Sequence, residues 1–185
     1  TSTGSLAPYL TQNCGAAFAR EFAVDSHDSA DSQVLYDTLL TYEAIFFRGG
    51  DQWEYYNLYR NTKLQDAVNI IYNNGGTICG TSAGMAILST VVFTAQNGSA
   101  YPDDCIENPN NNDVKLADDF FHFADGYIFD THFAERARFG RLTAFMANFK
   151  LNKGILLTGI GIDDMTCMAV DSAMLGTVYG TGCAN

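Results

Sequence analysis

The stretch that most constrains this chain is Thr77-Ile78-Cys79-Gly80-Thr81-Ser82-Ala83-Gly84-Met85-Ala86. An apolar run led in by Asn74-Gly75-Gly76 reads as a buried strand, and the small residues after Gly84 read as a helix. Between them lies G-x-S-x-G, the elbow in which a strand turns sharply into a helix and holds a serine at its apex. The glycines are needed because the backbone at Ser82 is strained and side chains two residues away would collide. Ser82 Oγ is expected to project from the sheet, with the Ala83 N–H and the first helical turn facing any developing oxyanion.

Ala44–Phe47 is a continuous apolar run, as buried parallel strands are, and Thr77–Cys79, Tyr127–Phe129 and Gly159–Ile162 also read as strands. Helical patterns alternate with them. One covers Pro8 to Phe22, with Leu10, Cys14, Ala17 and Phe18 on one side. Another begins at a cap on Ser29 or Asp31 and carries Val34, Leu35, Thr38 and Leu39. Leu64, Val68 and Ile71 mark a third, and Leu142, Phe145, Met146 and Phe149 a fourth. Ala23-Val24 reads as a short strand, and 168–170 with 177–179 as a terminal hairpin. Residues 95–118, rich in Asn, Asp and Pro, exceed a plain connector and read as a lid or a mobile excursion. Alternation of this kind predicts an α/β fold, a three-layer sandwich around a mainly parallel sheet. Ligands then gather at the carboxyl ends of the strands. Four strands end there in Gly49-Gly50-Asp51-Gln52, Ser82, Asp130-Thr131-His132 and Asp163-Asp164, all opening onto one edge.

A serine needs a base, and the base an orienting acid. Of the three histidines, His27 lies in a polar loop and reads as solvated. His122, between two phenylalanines, reads as a half-buried ring. His132 ends a strand and is the best placed base. Asp164 or Asp163 can stand behind it, whereas Asp130 reaches toward the pocket. Arg136, Arg138 and Arg141 follow at once, with Arg138 and Arg141 on one helix face, suited to binding a carboxylate bidentately.

Charge narrows the partners. The formal net charge of −11, with ten Lys and Arg, excludes a phosphate-backbone binder and docking on anionic lipid, so neither nucleic acid nor membrane is expected. Among five cysteines, Cys79 and Cys167 read as reduced core residues, and a pair among Cys14, Cys105 and Cys183 is open to bridging. The sequon Asn97-Gly98-Ser99 makes Asn97 a glycosylation candidate. With low charge and abundant Tyr, Asn and Thr, it leans toward a secreted protein. Self-association into a homo-oligomer is compatible with the sequence.

Gly49-Gly50-Asp51-Gln52, the Gly80–Gly84 elbow and Asp130-x-His132-Phe133-x-x-Arg136-x-Arg138-x-x-Arg141-Leu142, in this order and spacing, resemble the cyanophycinase and aspartyl dipeptidase (dipeptidase E) family of serine peptidases. The resemblance covers nearly the whole chain. It implies a class I glutamine-amidotransferase-like (flavodoxin-like) fold and cleavage of peptide bonds of aspartyl or isoaspartyl residues, including β-Asp-Arg units. Metal and cofactor are not required. By motif, Ser82 would be the nucleophile, His132 the base and Asp164 the acid, where cyanophycinases carry a glutamate. Gly50 and Ala83 N–H groups would form the oxyanion hole. Gln52, Asp130, Arg136, Arg138 and Arg141 would line the pocket for a peptide substrate. Thr131 departs from the family's usual glutamine. The chain reads as one peptidase domain over 1–185, lacking the family's leading strand and some C-terminal sheet, with Thr1–Ser5 as a loop leaving that strand. An α/β-hydrolase esterase is disfavoured, because there the acid precedes the histidine. The non-enzymatic alternative is a catalytically silent secreted structural or assembly protein on the same fold.

Overall fold

A computed structural model describes residues 5–185; the opening Thr1–Gly4 lies outside the described residues. Helix α1 (Ala7–Asn13) carries Pro8 in its first turn. It is shorter than the helix expected to Phe22. Gly15 adopts φ +75°, and the N–H groups of Cys14 and Ala16 both close on Leu10 O, which ends the helix. Residues 15–25 then return as irregular chain with no strand at Ala23-Val24, and Glu21 accepts from the Leu6 and Ala7 N–H groups at the start of α1. Helices α2 (His27–Ala30) and α3 (Gln33–Leu39) are capped by Ser26 and Ser32. Ser29 serves instead inside the capping box, and Asp31 accepts from Lys63 N at 3.0 Å. On α3, Leu39 is buried, while Val34 is 76% exposed and off the core face.

β1 (Ala44–Phe47) runs into a loop, then α4 (Gln52–Tyr59) and α5 (Lys63–Asn73), and the chain returns as β2 (Thr77–Gly80) parallel to β1. The expected stripe is buried: Leu64, Val68 and Ile71 pack with Leu39, Phe47, Ile87, Phe120 and Phe121. β1 is less enclosed than its apolar composition suggests. Only Phe47 is buried, and Phe46 is 40% exposed because β1 pairs with β2 alone among the described residues.

After the elbow helix α6 (Ala83–Ala86) comes β3 (Val92–Phe93). Residues 95–118, read as a lid or a mobile excursion, carry secondary structure of their own. They form α7 (Pro102–Glu107) and then β4 (Leu116–Ala117), antiparallel to β3. Ala100, Cys105 and Val114 are buried in a second cluster with Phe93, Ile128, Leu142, Phe145 and Phe149. β5 (Tyr127–Thr131), α8 (Phe139–Lys153) and β6 (Thr158–Ile162) make the second parallel crossover. Helix α8 buries Leu142, Phe145 and Phe149 as its stripe predicts, with Met146 partly buried. α7 lies so close on α8 that a Cβ at Gly140 would stand 2.6 Å from Ile106 Cδ1. β7 (Thr166–Val170) and β8 (Gly176–Gly180) close the expected hairpin, which is largely exposed.

The result is a mixed α/β fold whose strands form four two-stranded sheets among the described residues. A parallel bridge, Val91 to Ile128, links the elbow half to β5. No described helix is long and apolar enough to cross a membrane. All five cysteines are free. Cys105, one of the three open to bridging, is buried, and Cys167 is exposed rather than in the core.

Candidate active site

The carboxyl ends of both parallel pairs open onto one cleft of about 470 Å³. Ser82 sits at its floor with φ 53° and ψ −125°, a strained conformation for a residue with a side chain. Close approach of glycines makes the turn possible. A Cβ on Gly80 would stand 2.1 Å from Gly84 O, and one on Gly84 would stand 2.3 Å from Phe47 O. A Cβ on Gly49 would press on Ser82 Cβ at 3.1 Å.

His132 follows β5 with φ 49°, another strained backbone at the same cleft. Its Nε2 lies 2.8 Å from Ser82 Oγ, and its Nδ1 lies 2.5 Å from Asp164 Oδ1. Asp164 stands in the turn after β6. A hydroxyl, an imidazole and a carboxylate from three separate strand ends are thus in line. That chain of bonds can draw the hydroxyl proton onto Nε2 while the carboxylate fixes the Nδ1–H tautomer and steadies the imidazolium. The other histidines take no part. His27 is exposed, and His122 is exposed rather than half-buried. Of the two aspartates after β6, Asp164 faces the ring. Asp163 is a structural hub, accepting from the N–H groups of Ala134 and Cys183 at 3.0 and 2.9 Å and from Asn185 Nδ2.

Gly50, Asp51 and Gln52 form the opposite wall. Asp51 caps α4 by accepting from Trp53 N at 2.8 Å, which turns the chain away beside the cleft. Gln52 lines the cleft while its amide donates to Phe93 O. Gly50 and Ala83 both line the cleft, and the structure records no backbone partner for either N–H among the described residues.

Arg136, Arg138 and Arg141 line the third side. Asp130 does not join them there, a correction to the sequence reading. It is 2% exposed and lies beneath Arg138 and Arg141 as their anchor. Arg141 holds it bidentately, Nε to Oδ2 at 2.7 Å and Nη2 to Oδ1 at 2.6 Å, with Arg138 Nη1 at 3.4 Å. The bidentate partner the arginines were expected to seek outside is therefore supplied from within for Arg141. The reason is desolvation: a guanidinium only 5% exposed needs a counter-charge. Arg138 also donates to Thr131 O at 2.6 Å. Burial, reinforced by neighbouring Arg141 and opposed by Asp130, pulls Arg138 down to about 10; at neutral pH it stays cationic. Arg136 is exposed at the mouth.

Four contributors had no signal in the sequence reading. Phe93, Gly98 and Ser99 line the cleft, the last two from the segment read as a lid or a mobile excursion. Glu135 Oε1 accepts from Asp164 N at 3.0 Å. Asn97 is exposed beside this rim, with Nδ2 donating to Asn112 O at 2.7 Å.

Comparison with known proteins agrees with this architecture. The family model for peptidase family S51 matches residues 16–176. Cyanophycinases of Trichormus variabilis and of a Nostoc species are each 27% identical over 174 residues, covering 94% of this chain and 54% of their own. The cyanophycinase of Geminocystis herdmanii is 30% identical over 140 residues, 75% of this chain and 47% of its own. The chain thus spans about half the length of the curated relatives it matches. The crystal structure of a peptidase from an acI-B1 Actinobacterium superposes with a TM-score of 0.64 at 21% identity, over 93% of this chain and 64% of that one, a likeness of fold. A strained serine elbow meeting a histidine and an aspartate, within a match over most of the sequence, places this chain in peptidase family S51.

Proposed function

We propose that this chain carries the catalytic centre of a serine peptidase acting on peptide bonds of aspartyl or isoaspartyl residues. The observation that carries the reading is the bonded series Ser82 Oγ, His132 Nε2 and Nδ1, Asp164 Oδ1 beside an arginine-lined cleft. Ser82 Oγ attacks the scissile carbonyl carbon as its proton passes to His132 Nε2. The carbonyl oxygen becomes an oxyanion facing the Gly50 and Ala83 N–H groups. Collapse breaks the C–N bond, and the imidazolium returns the proton to the leaving amine. Water, deprotonated by the same imidazole, then hydrolyses the ester and regenerates the serine. Arg138 and Arg136 are the groups with charge to spare for a substrate carboxylate, because Asp130 largely occupies Arg141. We read the two parallel pairs as parts of one three-layer sandwich of the glutamine-amidotransferase-like kind, a reading supported by the parallel bridge from Val91, just after the elbow helix, to Ile128 of β5.

The test is covalent labelling with a fluorophosphonate probe, followed by hydrolysis of a β-Asp-Arg dipeptide against an α-Asp-Xaa dipeptide. Labelling abolished by Ser82→Ala, with hydrolysis of one dipeptide, is the expected result. A folded protein that neither labels nor cleaves overturns the reading in favour of a silent scaffold.

A further inference from the structure

We propose that Glu135 is a positioning residue that holds the acid of the triad against its base. The inference rests on the assignment of Ser82, His132 and Asp164 made above. Asp164 is poorly held by burial: its side chain is 49% exposed, against 24% for His132. It sits in a turn whose next residue, Met165, has φ 54° and is 83% exposed. An exposed turn is a weak platform for a carboxylate that must stay in line with an imidazole nitrogen.

The structure supplies the missing support from the histidine's own segment. Three residues after His132, Glu135 Oε1 accepts from Asp164 N at 3.0 Å. Two further bonds tie the same segments together. Phe133 N donates to Ile162 O at 3.2 Å, and Ala134 N donates to Asp163 Oδ1 at 3.0 Å. The segment that presents the base therefore grips the turn that presents the acid at three successive points. Of these three bonds, only that of Glu135 reaches the backbone of Asp164 itself. Another bond on that backbone, from Thr166 Oγ1 to Asp164 O at 3.1 Å, belongs to the hairpin side of the turn. Glu135 thus couples the acid's position to that of His132, and its contribution to catalysis passes through Asp164.

The discriminating experiment compares Glu135→Ala with Glu135→Gln in the purified protein. Glutamine keeps a carbonyl oxygen able to accept from Asp164 N, whereas alanine removes the acceptor. E135A should label with fluorophosphonate about 10- to 100-fold more slowly, the loss expected when a catalytic group shifts by up to about 1 Å. E135Q should stay within about twofold of wild type, because its amide oxygen still accepts from Asp164 N. Melting temperatures should be alike, because Glu135 is exposed. Equal labelling of E135A and wild type overturns the inference, as does an E135Q as slow as E135A. An independent readout is the low-field proton resonance of His132 Nδ1–H, expected in wild type and E135Q and broadened away in E135A. It keeps the inference testable if the wild type fails to label, an outcome that overturns the peptidase reading instead. Persistence of the resonance in E135A refutes the positioning role whatever the activity.

Discussion

Gly84→Ala is a sharp perturbation of this site, because the added atom has nowhere to go. A Cβ there would lie 2.3 Å from Phe47 O and 2.4 Å from Arg48 O. Carbon–oxygen contacts settle near about 3.3 Å, so the elbow helix must withdraw from the end of β1 by about 1 Å. Both obstacles are backbone atoms and cannot rotate aside. Overpacking of this kind costs about 1–3 kcal/mol. Alanine's helix preference over glycine offsets about 0.5–1 kcal/mol of it. A net loss of about 1–2 kcal/mol corresponds to a melting temperature about 2–8 °C lower in a domain of this size. The effect on reactivity is larger. Withdrawal of α6 carries Ser82 with it and lengthens the 2.8 Å contact to His132 Nε2. A displacement of about 1 Å at a reacting atom costs about 100-fold. The assay is fluorophosphonate labelling rate beside a thermal melt. A G84A variant that labels at the wild-type rate would refute the claim that this close approach sets the serine's position.

Asp130→Asn should destabilise the fold by about 3–5 kcal/mol, because it leaves the buried Arg141 without its counter-charge; a loss below about 1 kcal/mol in urea denaturation would argue against the anchor role. Arg136→Ala should raise KM for aspartyl dipeptides about tenfold with kcat and melting temperature little changed, since the side chain is exposed at the cleft mouth; an unchanged KM would remove Arg136 from substrate binding. Burial, then the bond and charge of Asp119, push Tyr56 up to about 12 from its ordinary value of 10.0. A phenol raised on folding contributes stability below pH 10 that is lost as pH climbs toward 12. Wild type should therefore lose stability over that window more steeply than Tyr56→Phe, and equal slopes in alkaline denaturation would contradict it.

The parts of the fold that were legible are those written in neighbouring residues. The stripe Leu64, Val68, Ile71 repeats at helical spacing and is buried as a unit. The hairpin at 166–180 and the elbow carry their turn chemistry within a few positions. Illegible features were made by partners far along the chain or by a stop inside a periodic pattern. The helix expected to Phe22 ended at Asn13, because Gly15 took a left-handed conformation that hydropathy does not register. Residues 95–118, rich in Asn, Asp and Pro, showed no periodic pattern, yet Ala100, Cys105 and Val114 find apolar partners on α8 and β3. Helix caps fell on Ser26 and Ser32 rather than their neighbours, since several hydroxyls and carboxylates in that loop could serve equally.

By itself the sequence determined the strained serine turn and its glycines, the alternation that brings strand ends to one edge, and the residue types able to move a proton there. These follow from steric limits and periodicities that act over a few residues. The residues alone left Asp163 and Asp164 both open as the acid, and the motif resemblance favoured Asp164. Tertiary structure brought Asp164 to the ring, set Asp163 to tie Cys183 and Asn185 to the segment after His132, and sank Asp130 beneath Arg138 and Arg141. Three aspartates with the same intrinsic chemistry part ways because each meets a different degree of burial and a different set of donors.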